Sequence, residues 1–463
     1  MKWPTPTCLL LGLLAAVTAS ACGGSSSSSP FGGERTGGTG GAGGSGAANA
    51  GAGDRLEGEC SVLDPELADA DAADLFDFPR VPTFDFYLPA ARWTELQANA
   101  TEEQYVEAEV CFEGRGLGRV GLRFKGSYGS LYDCADSVGE GECRKLSMKV
   151  KFSEYEPEQR FYGLKRLNFN ANRFDDSRIK ERLAYDTFRA MGIVTPRAAW
   201  AVVRVNGESQ GLFGMVEQVD GRFTADRWPD NPDQNLYKEA WPDIADAAYF
   251  TNRLRTNEDQ ADVSAVLAFA EAMSTASEDD LRATLGNYTD LTYFARFLAV
   301  EDALASYDGI TYFWTDGSST GNHNYYFYEE GPNDFTIIPW DVESTFWINP
   351  DHAAPHWTER PEDCSLTYEY WGGLARAPGC DRVIQALAAD LDPWRAACQE
   401  VLDGPFAEAA MDEVIDRWSD FVREEALADP TPSVYGDFES AVAELHRVVP
   451  DLRERLEQLM EGP

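Results

Sequence analysis

Histidine is scarce in this 463-residue chain, with four in all, and no two of its nine cysteines stand in CxxC spacing. A structural zinc site, which draws on clustered Cys and His, is therefore not expected. No Ser-His-Asp order is visible either, so an acyl-transfer triad is not expected. Basic residues are half as many as acidic ones, 39 Lys and Arg against 79 Asp and Glu, and the formal net charge is −40. Such a surface repels a polyphosphate at long range and argues against nucleic acid as a partner. No internal repeat is present, which sets aside solenoid folds.

What is present is material for a large core. Hydrophobic residues make up 43% of the chain and aromatics 12%. Lys2 precedes the apolar run Leu9 to Val17, too short to span a bilayer and typical of a signal h-region. Small residues Ala19, Ser20 and Ala21 then lead to Cys22, the pattern of a bacterial lipoprotein signal. Residues 1–22 are read as that signal, with Cys22 the lipidated terminus. Residues 23–56 are Gly/Ser/Ala-rich and form a tether, and residues 57–463 form the globular part. The expected location is exported, held at the cell envelope by a lipid or secreted. Seven cysteines follow Cys22: Cys60, Cys111, Cys134, Cys143, Cys364, Cys380 and Cys398. Cys134 with Cys143, and Cys364 with Cys380, flank loops that a disulfide would close. Seven is odd, so at least one thiol stays free or pairs elsewhere.

The acid is unevenly spread. Residues 144–204 carry fourteen Lys and Arg against seven acids, a local balance of +7. A basic island in an acidic chain suits a bound polyanion such as a nucleoside triphosphate. The first half reads as strand-rich, with an extended segment at 83–88, a short helix at 92–98 and strands at 106–112, 120–125 and 147–152. Asp176-Ser177 is the expected N-cap of a helix with Ile179, Leu183, Ala184, Phe188 and Met191 on one face, stopped by Gly192. Asn206-Gly207 predicts a hairpin between 199–205 and 211–219. The second half is helical near 260–274, 279–285, 289–305, 382–402, 406–427 and 437–460. A β-like island at 324–328 and 335–339 interrupts it.

The chemistry concentrates around that island. Asp308 follows a long helix, Asn324 opens a strand, and Asp341 ends the next strand behind Pro339-Trp340. Phosphoryl transfer needs one carboxylate to orient the acceptor hydroxyl, and an amide with a second carboxylate to hold a divalent cation against the phosphates. Asp, Asn, Asp in this order is what a protein kinase uses. Singly, each also reads as a turn residue or a strand-end cap.

The same stretches resemble the CotH (spore coat protein H) family. Its motifs are matched by Ser306-Tyr307-Asp308-Gly309, by the run from His323 to Tyr328 and by the run from Pro339 to Phe346. Upstream, Lys125-Gly126-Ser127, the run Lys145 to Phe152, Leu167 to Asn170, Glu181 to Tyr185, Gly211 to Asp220 and Asn235 to Lys238 follow in family order. The chain departs at Lys125 for the usual Arg, Leu146 for a second Lys and Glu343 for a second Asp. A long loop before Asn324 contains Asp316 and Asn322, which makes Asn322 a rival for Asn324.

The resemblance implies an α+β, two-lobed, atypical protein-kinase-like fold. Its β-rich N-lobe would cover about 80–218 and its mostly helical C-lobe about 219–463. Asp308 would be the catalytic carboxylate, Asn324 and Asp341 the Mg²⁺ (or Mn²⁺) ligands, and Lys145 or Lys149 the phosphate-binding lysine. Lys125, Gly126 and Ser127 would lie near the ATP phosphates. Glu217 would lie near the base and ribose, and Glu181 or Glu217 would pair with the lysine. The expected activity moves the ATP γ-phosphoryl to Ser/Thr of an exported or surface protein. The alternatives are a catalytically silent surface scaffold or adhesin, and AMP transfer on the same fold.

Overall fold

A computed structural model describes residues 64–462 apart from 128–130, 349–353, 371–372 and 432–435. The expected leader, Cys22 and the tether lie outside the described residues. Two short helices come first, α1 (Pro65–Asp69) and α2 (Ala72–Phe76). Each is capped by an aspartate, Asp64 accepting from the Glu66 amide and Asp71 from that of Ala73. Then follow β1 (Thr83–Tyr87), α3 (Ala90–Ala98), β2 (Val106–Phe112), β3 (Arg115–Phe124), β4 (Met148–Lys151), β5 (Arg166–Asn170), α4 (Lys180–Ala190), β6 (Ala198–Val205) and β7 (Glu208–Glu217).

These seven strands close into a barrel in the order β1-β2-β3-β4-β5-β7-β6. A parallel pairing of β1 with β6, Thr83 beside Val202, makes the closure. Period-two alternation then sorts the side chains. Phe84, Phe86, Phe112, Leu122, Met148, Val150, Leu167 and Phe169 fill the inside. Phe84 lies 5.0 Å from both Phe112 and Phe169, ring centre to ring centre. The residues between them, Arg123, Lys149, Asn168 and Asn170, take the outer face, where Lys149 is flanked by Arg123 and Asn168 in register. Asn206 and Gly207, at φ 51° and 83°, form the expected turn between β6 and β7.

Helix α4 lies against the barrel with the expected face buried, from Ile179 through Leu183, Ala184 and Phe188 to Met191. Its start differs from expectation. Ile179 is the N-cap, and Asp175 supplies the capping carboxylate by accepting from the Lys180 amide at 2.8 Å. Asp176 instead accepts from the Gly436 amide at 2.9 Å.

The second half runs α5 (Gly221–Arg227), β8 (Leu236–Lys238), α6 (Ala247–Thr251), α7 (Ser264–Thr275), α8 (Leu281–Leu285), α9 (Leu291–Ala303), β9 (Phe313–Thr315), β10 (Thr320–Gly321), β11 (Tyr325–Gly331), β12 (Asp334–Pro339), β13 (Thr367–Tyr370), β14 (Gly373–Arg376), α10 (Arg382–Ala388), α11 (Asp392–Asp403), α12 (Glu408–Leu427) and α13 (Phe438–Glu461). The expected single helix over 382–402 is two, because Pro393 has no amide hydrogen for a continuing helix and is accepted in the first turn of a new one. Two small sheets, β12-β11-β8 and β10-β9-β14-β13, sit among the helices. Among the described residues no helix is long and apolar enough to cross a membrane. Cys134 is bonded to Cys143 and Cys364 to Cys380, as expected. Cys111 is also disulfide-bonded, and Cys398 is a buried free thiol.

Candidate active site

The β11–β12 hairpin brings two of the expected residues together. Its last pair is Tyr325 with Pro339, and beyond it the Trp340 amide donates to the Asn324 carbonyl at 3.0 Å. Asn324 and Asp341 therefore flank one strand-pair end. Both sit at positive φ, 65° and 54°. Asn and Asp tolerate that region better than most residues, and non-glycine strain there often marks a functional position.

Asp308 reaches the same place from the end of α9. The turn that carries it is fixed underneath by Glu301, which accepts from the Ile310 amide at 3.2 Å. Gly309 is required there, because an added Cβ would overlap the Glu301 carboxylate. Residues ahead of Asp308 are tied to the segment after Asp341, the Tyr307 amide donating to the Ser344 carbonyl at 3.2 Å and that of Phe346 to the Leu304 carbonyl at 2.7 Å.

The Asp308 carboxylate is held by three donors. Oδ1 accepts from His323 Nε2 at 2.7 Å and Trp314 Nε1 at 3.0 Å. Oδ2 accepts from Asn324 Nδ2 at 2.9 Å, which also donates to the Asp308 main-chain oxygen at 2.8 Å. Both atoms facing the Asn324 nitrogen are acceptors, so the amide orientation is determined and its oxygen takes no part in these two bonds. Burial opposes the charge on His323, but contact with Asp308 outweighs it and, with Glu239 and Asp341 adding, raises the imidazole to about 9.

Next to Asp341 lies a second group of acids. Glu181 of α4 is 5% exposed and accepts from Asn170 Nδ2 at 2.9 and 3.0 Å. Burial, then the charge of Asp341, raises it to about 7. Glu343 is pushed well above the carboxylate range by burial, Asp341 and Glu181. Lys125 offsets this charge. Its Nζ donates to Asn170 at 2.6 Å and stands 5.5 Å from the centre of the Trp340 ring.

Of the other expected residues, Lys145 and Glu217 are engaged in ion pairs of their own. Lys145 is buried and its ammonium donates to the Leu212 carbonyl and, at 2.7 Å, to Asp429. Burial lowers it to about 8 despite Asp429. Lys149 lies on the outer barrel face, 7% exposed. Glu217 is occupied by Arg197 at 2.5 Å and Arg227 at 2.7 Å. Gly126, at φ 140°, and Ser127 continue the chain from Lys125. Asn322 bridges the Ile310 carbonyl at 2.7 Å and the Tyr325 hydroxyl at 3.2 Å, a structural position. Asp316 caps its own turn through Ser318 and Ser319. Sequence reasoning missed His323, Trp314 and Glu301. His323 had a signal, since it directly precedes Asn324; the other two had none.

Among the described residues no three His, Cys, Asp or Glu form a metal cage. Mg²⁺ does not require one, because it is commonly held by one or two protein oxygens, with waters and phosphate oxygens completing the octahedron. The oxygen donors of Asn324 and Asp341, and the excess of carboxylates beside them, fit such an ion.

Residues 122–459 match the family described as CotH kinase protein. The chain belongs to the CotH kinase family. Among curated relatives it resembles inner spore coat protein H of Bacillus subtilis (strain 168), 23% identical over 214 residues, 44% of this chain and 55% of that one. It also resembles invasin CotH7 of Rhizopus delemar, 27% identical over 187 residues, 38% of this chain and 30% of that one. The match thus spans about half of the first relative's length and less of the second's. The solved Helicobacter pylori proinflammatory kinase CtkA is 10% identical at a TM-score of 0.30, over 70% of this chain and 96% of that one. The assignment of this CotH-family chain rests on the sequence match.

Proposed function

We propose that this chain is an atypical protein kinase whose barrel and helical half act as two lobes around ATP and Mg²⁺ or Mn²⁺. The observation that carries the reading is the convergence of Asp308, Asn324 and Asp341 from three separate segments. Asp308 orients the acceptor hydroxyl, and Asn324 and Asp341 hold the cation, whose charge offsets that of the phosphates. In place of Lys145 or Lys149, Lys125 is the lysine assigned to the phosphates, with Gly126 and Ser127, because its ammonium stands 5.5 Å from the centre of the Trp340 ring beside Asp341. Lys149 faces the same outer surface of the barrel and Glu217 braces the strand end through its arginines. The acceptor is Ser or Thr of an exported or surface protein, and the chain itself is exported and anchored through Cys22. Disulfides fit an oxidising compartment.

The test is incubation of the chain, freed of its leader, with ATP labelled at the γ or the α phosphate, with Mg²⁺ or Mn²⁺. Transfer of γ label to protein supports the kinase reading. Transfer of α label points to AMP transfer, and transfer of neither to a scaffold. Asp341→Ala should abolish the metal-dependent part of the ATP-induced rise in melting temperature; an unchanged rise moves the cation elsewhere.

A further inference from the structure

We propose that His323 is a positioning residue, which with Trp314 fixes the Asp308 carboxylate so that Oδ2 is the oxygen presented to the acceptor hydroxyl. The inference rests on the assignment of Asp308 given above. Asp308 is mounted on a turn, not inside a helix or strand, so its orientation must come from side-chain partners. Oδ1 receives two donors, His323 Nε2 at 2.7 Å and Trp314 Nε1 at 3.0 Å. A carboxylate oxygen has two lone pairs, so Oδ1 is saturated. Oδ2 receives one side-chain donor, Asn324 Nδ2 at 2.9 Å, and keeps a lone pair for a hydroxyl.

The two Oδ1 donors are not independent. The His323 and Trp314 rings are stacked, 6.2 Å between centres with 19° between planes. Trp314 is in turn held at 5.0 Å from Tyr370, whose hydroxyl donates to the Tyr307 carbonyl, one residue before Asp308. His323 precedes Asn324, so a donor to each carboxylate oxygen comes from one of two adjacent residues just ahead of β11. Because Oδ1 can only accept, Nε2 carries the hydrogen in whatever protonation state the ring has. Rotation of the carboxylate would break all three bonds at once. A misoriented carboxylate loses alignment with the attacking oxygen while leaving nucleotide binding intact, and such misplacement lowers turnover by about 10²-fold.

The measurement is steady-state phosphoryl transfer from γ-labelled ATP, with the thermal shift by ATP and Mg²⁺ as a parallel readout. His323→Ala should lower kcat by about 30- to 100-fold with KM for ATP and the thermal shift unchanged. His323→Gln, whose amide can still donate to Oδ1, should recover most of that loss, which a purely structural role would not predict. Trp314→Phe keeps the stack and removes one donor, so a smaller loss in kcat alone is expected. An unchanged kcat in His323→Ala, a loss shared between kcat and KM, or no rescue by Gln overturns the role of His323. Asp308→Asn separates the two readings. If that variant is as active as wild type, the assignment of Asp308 is wrong. If it is inactive while His323→Ala is not, only the positioning role falls. A wild type that transfers no label removes both.

Discussion

Lys145 and Lys125 should separate cleanly under substitution, since one is held in a buried ion pair and the other adjoins the candidate site. The side chains of Lys145 and Asp429 are each 2% exposed, and their charged atoms are 2.7 Å apart. Asp429 also accepts from the Leu212 amide at 3.0 Å and the Thr431 amide at 2.9 Å. Lys145 additionally donates to the Leu212 carbonyl. Lys145→Met leaves the aspartate buried with its cationic partner gone. Removing one member of such a pair costs about 3–5 kcal/mol. For about 400 ordered residues, an unfolding entropy of roughly 2.1 cal/mol/K per residue converts this to a fall of about 4–6 °C in Tm. The nucleotide-dependent shift should survive. Lys125→Met should behave oppositely: its side chain is only partly buried, so Tm without ligand should fall by less than about 2 °C, while the ATP and Mg²⁺ shift shrinks. Calorimetry of both variants, with and without ATP and Mg²⁺, gives all four numbers. The double variant Lys145→Met/Asp429→Asn should recover part of the stability, because an unpaired buried charge is worse than none. A Lys145→Met protein of unchanged Tm that no longer responds to ATP would refute the reasoning and return the phosphate role to Lys145.

Three further outcomes follow from the same geometry. Glu301 is buried and raised to about 8, first by burial, from a reference of 4.5, so the folded state binds more protons than the unfolded state between those values. Stability should therefore decline as pH rises from about 5 to 8, and Glu301→Gln should flatten that decline in a Tm-against-pH series; a parallel decline in the variant would exclude Glu301 as its source. Gly309→Ala, which drives a methyl into the Glu301 carboxylate, should lower phosphoryl transfer at least tenfold by displacing Asp308, measured by γ-label transfer; wild-type activity would mean that the turn relaxes freely. Cys134→Ser/Cys143→Ser opens a loop of sequence separation 9 and should lose about 2–3 kcal/mol by chain entropy, read as a lower Tm, while Cys398→Ser, which removes a buried thiol that is in no disulfide, should leave the effect of reductant on Tm as it is in the wild type.

What the sequence made legible was local. Asn206-Gly207 specified its turn through backbone conformation alone, and the apolar face of α4 through helical spacing. The two short disulfides were legible because their cysteines flank brief loops. Barrel closure was not, since the pairing of Thr83 with Val202 joins strands far apart in the chain, and strand periodicity carries no information about a partner. The same limit governs Lys145. Alternation placed a lysine on that segment, but its partner Asp429 is 284 residues away, and only the fold decides whether an ammonium meets a phosphate or a buried carboxylate.

At the candidate site the division is sharper. Asp308, Asn324 and Asp341 were legible because motif order reports residue type and spacing. The set of donors on each oxygen of Asp308 was not, because it depends on Trp314 and His323 arriving from two separate segments. Their approach follows from the β9–β14–β13 sheet, which fixes Trp314 against Tyr370, and from the β11–β12 hairpin, which places His323 just ahead of Asn324. Histidine scarcity pointed away from zinc and from an acyl-transfer triad, sites that draw on clustered residues. A single imidazole needs no cluster to act on a carboxylate 2.7 Å away. Composition can exclude sites assembled from many residues of one kind; it says nothing against a site that needs only one.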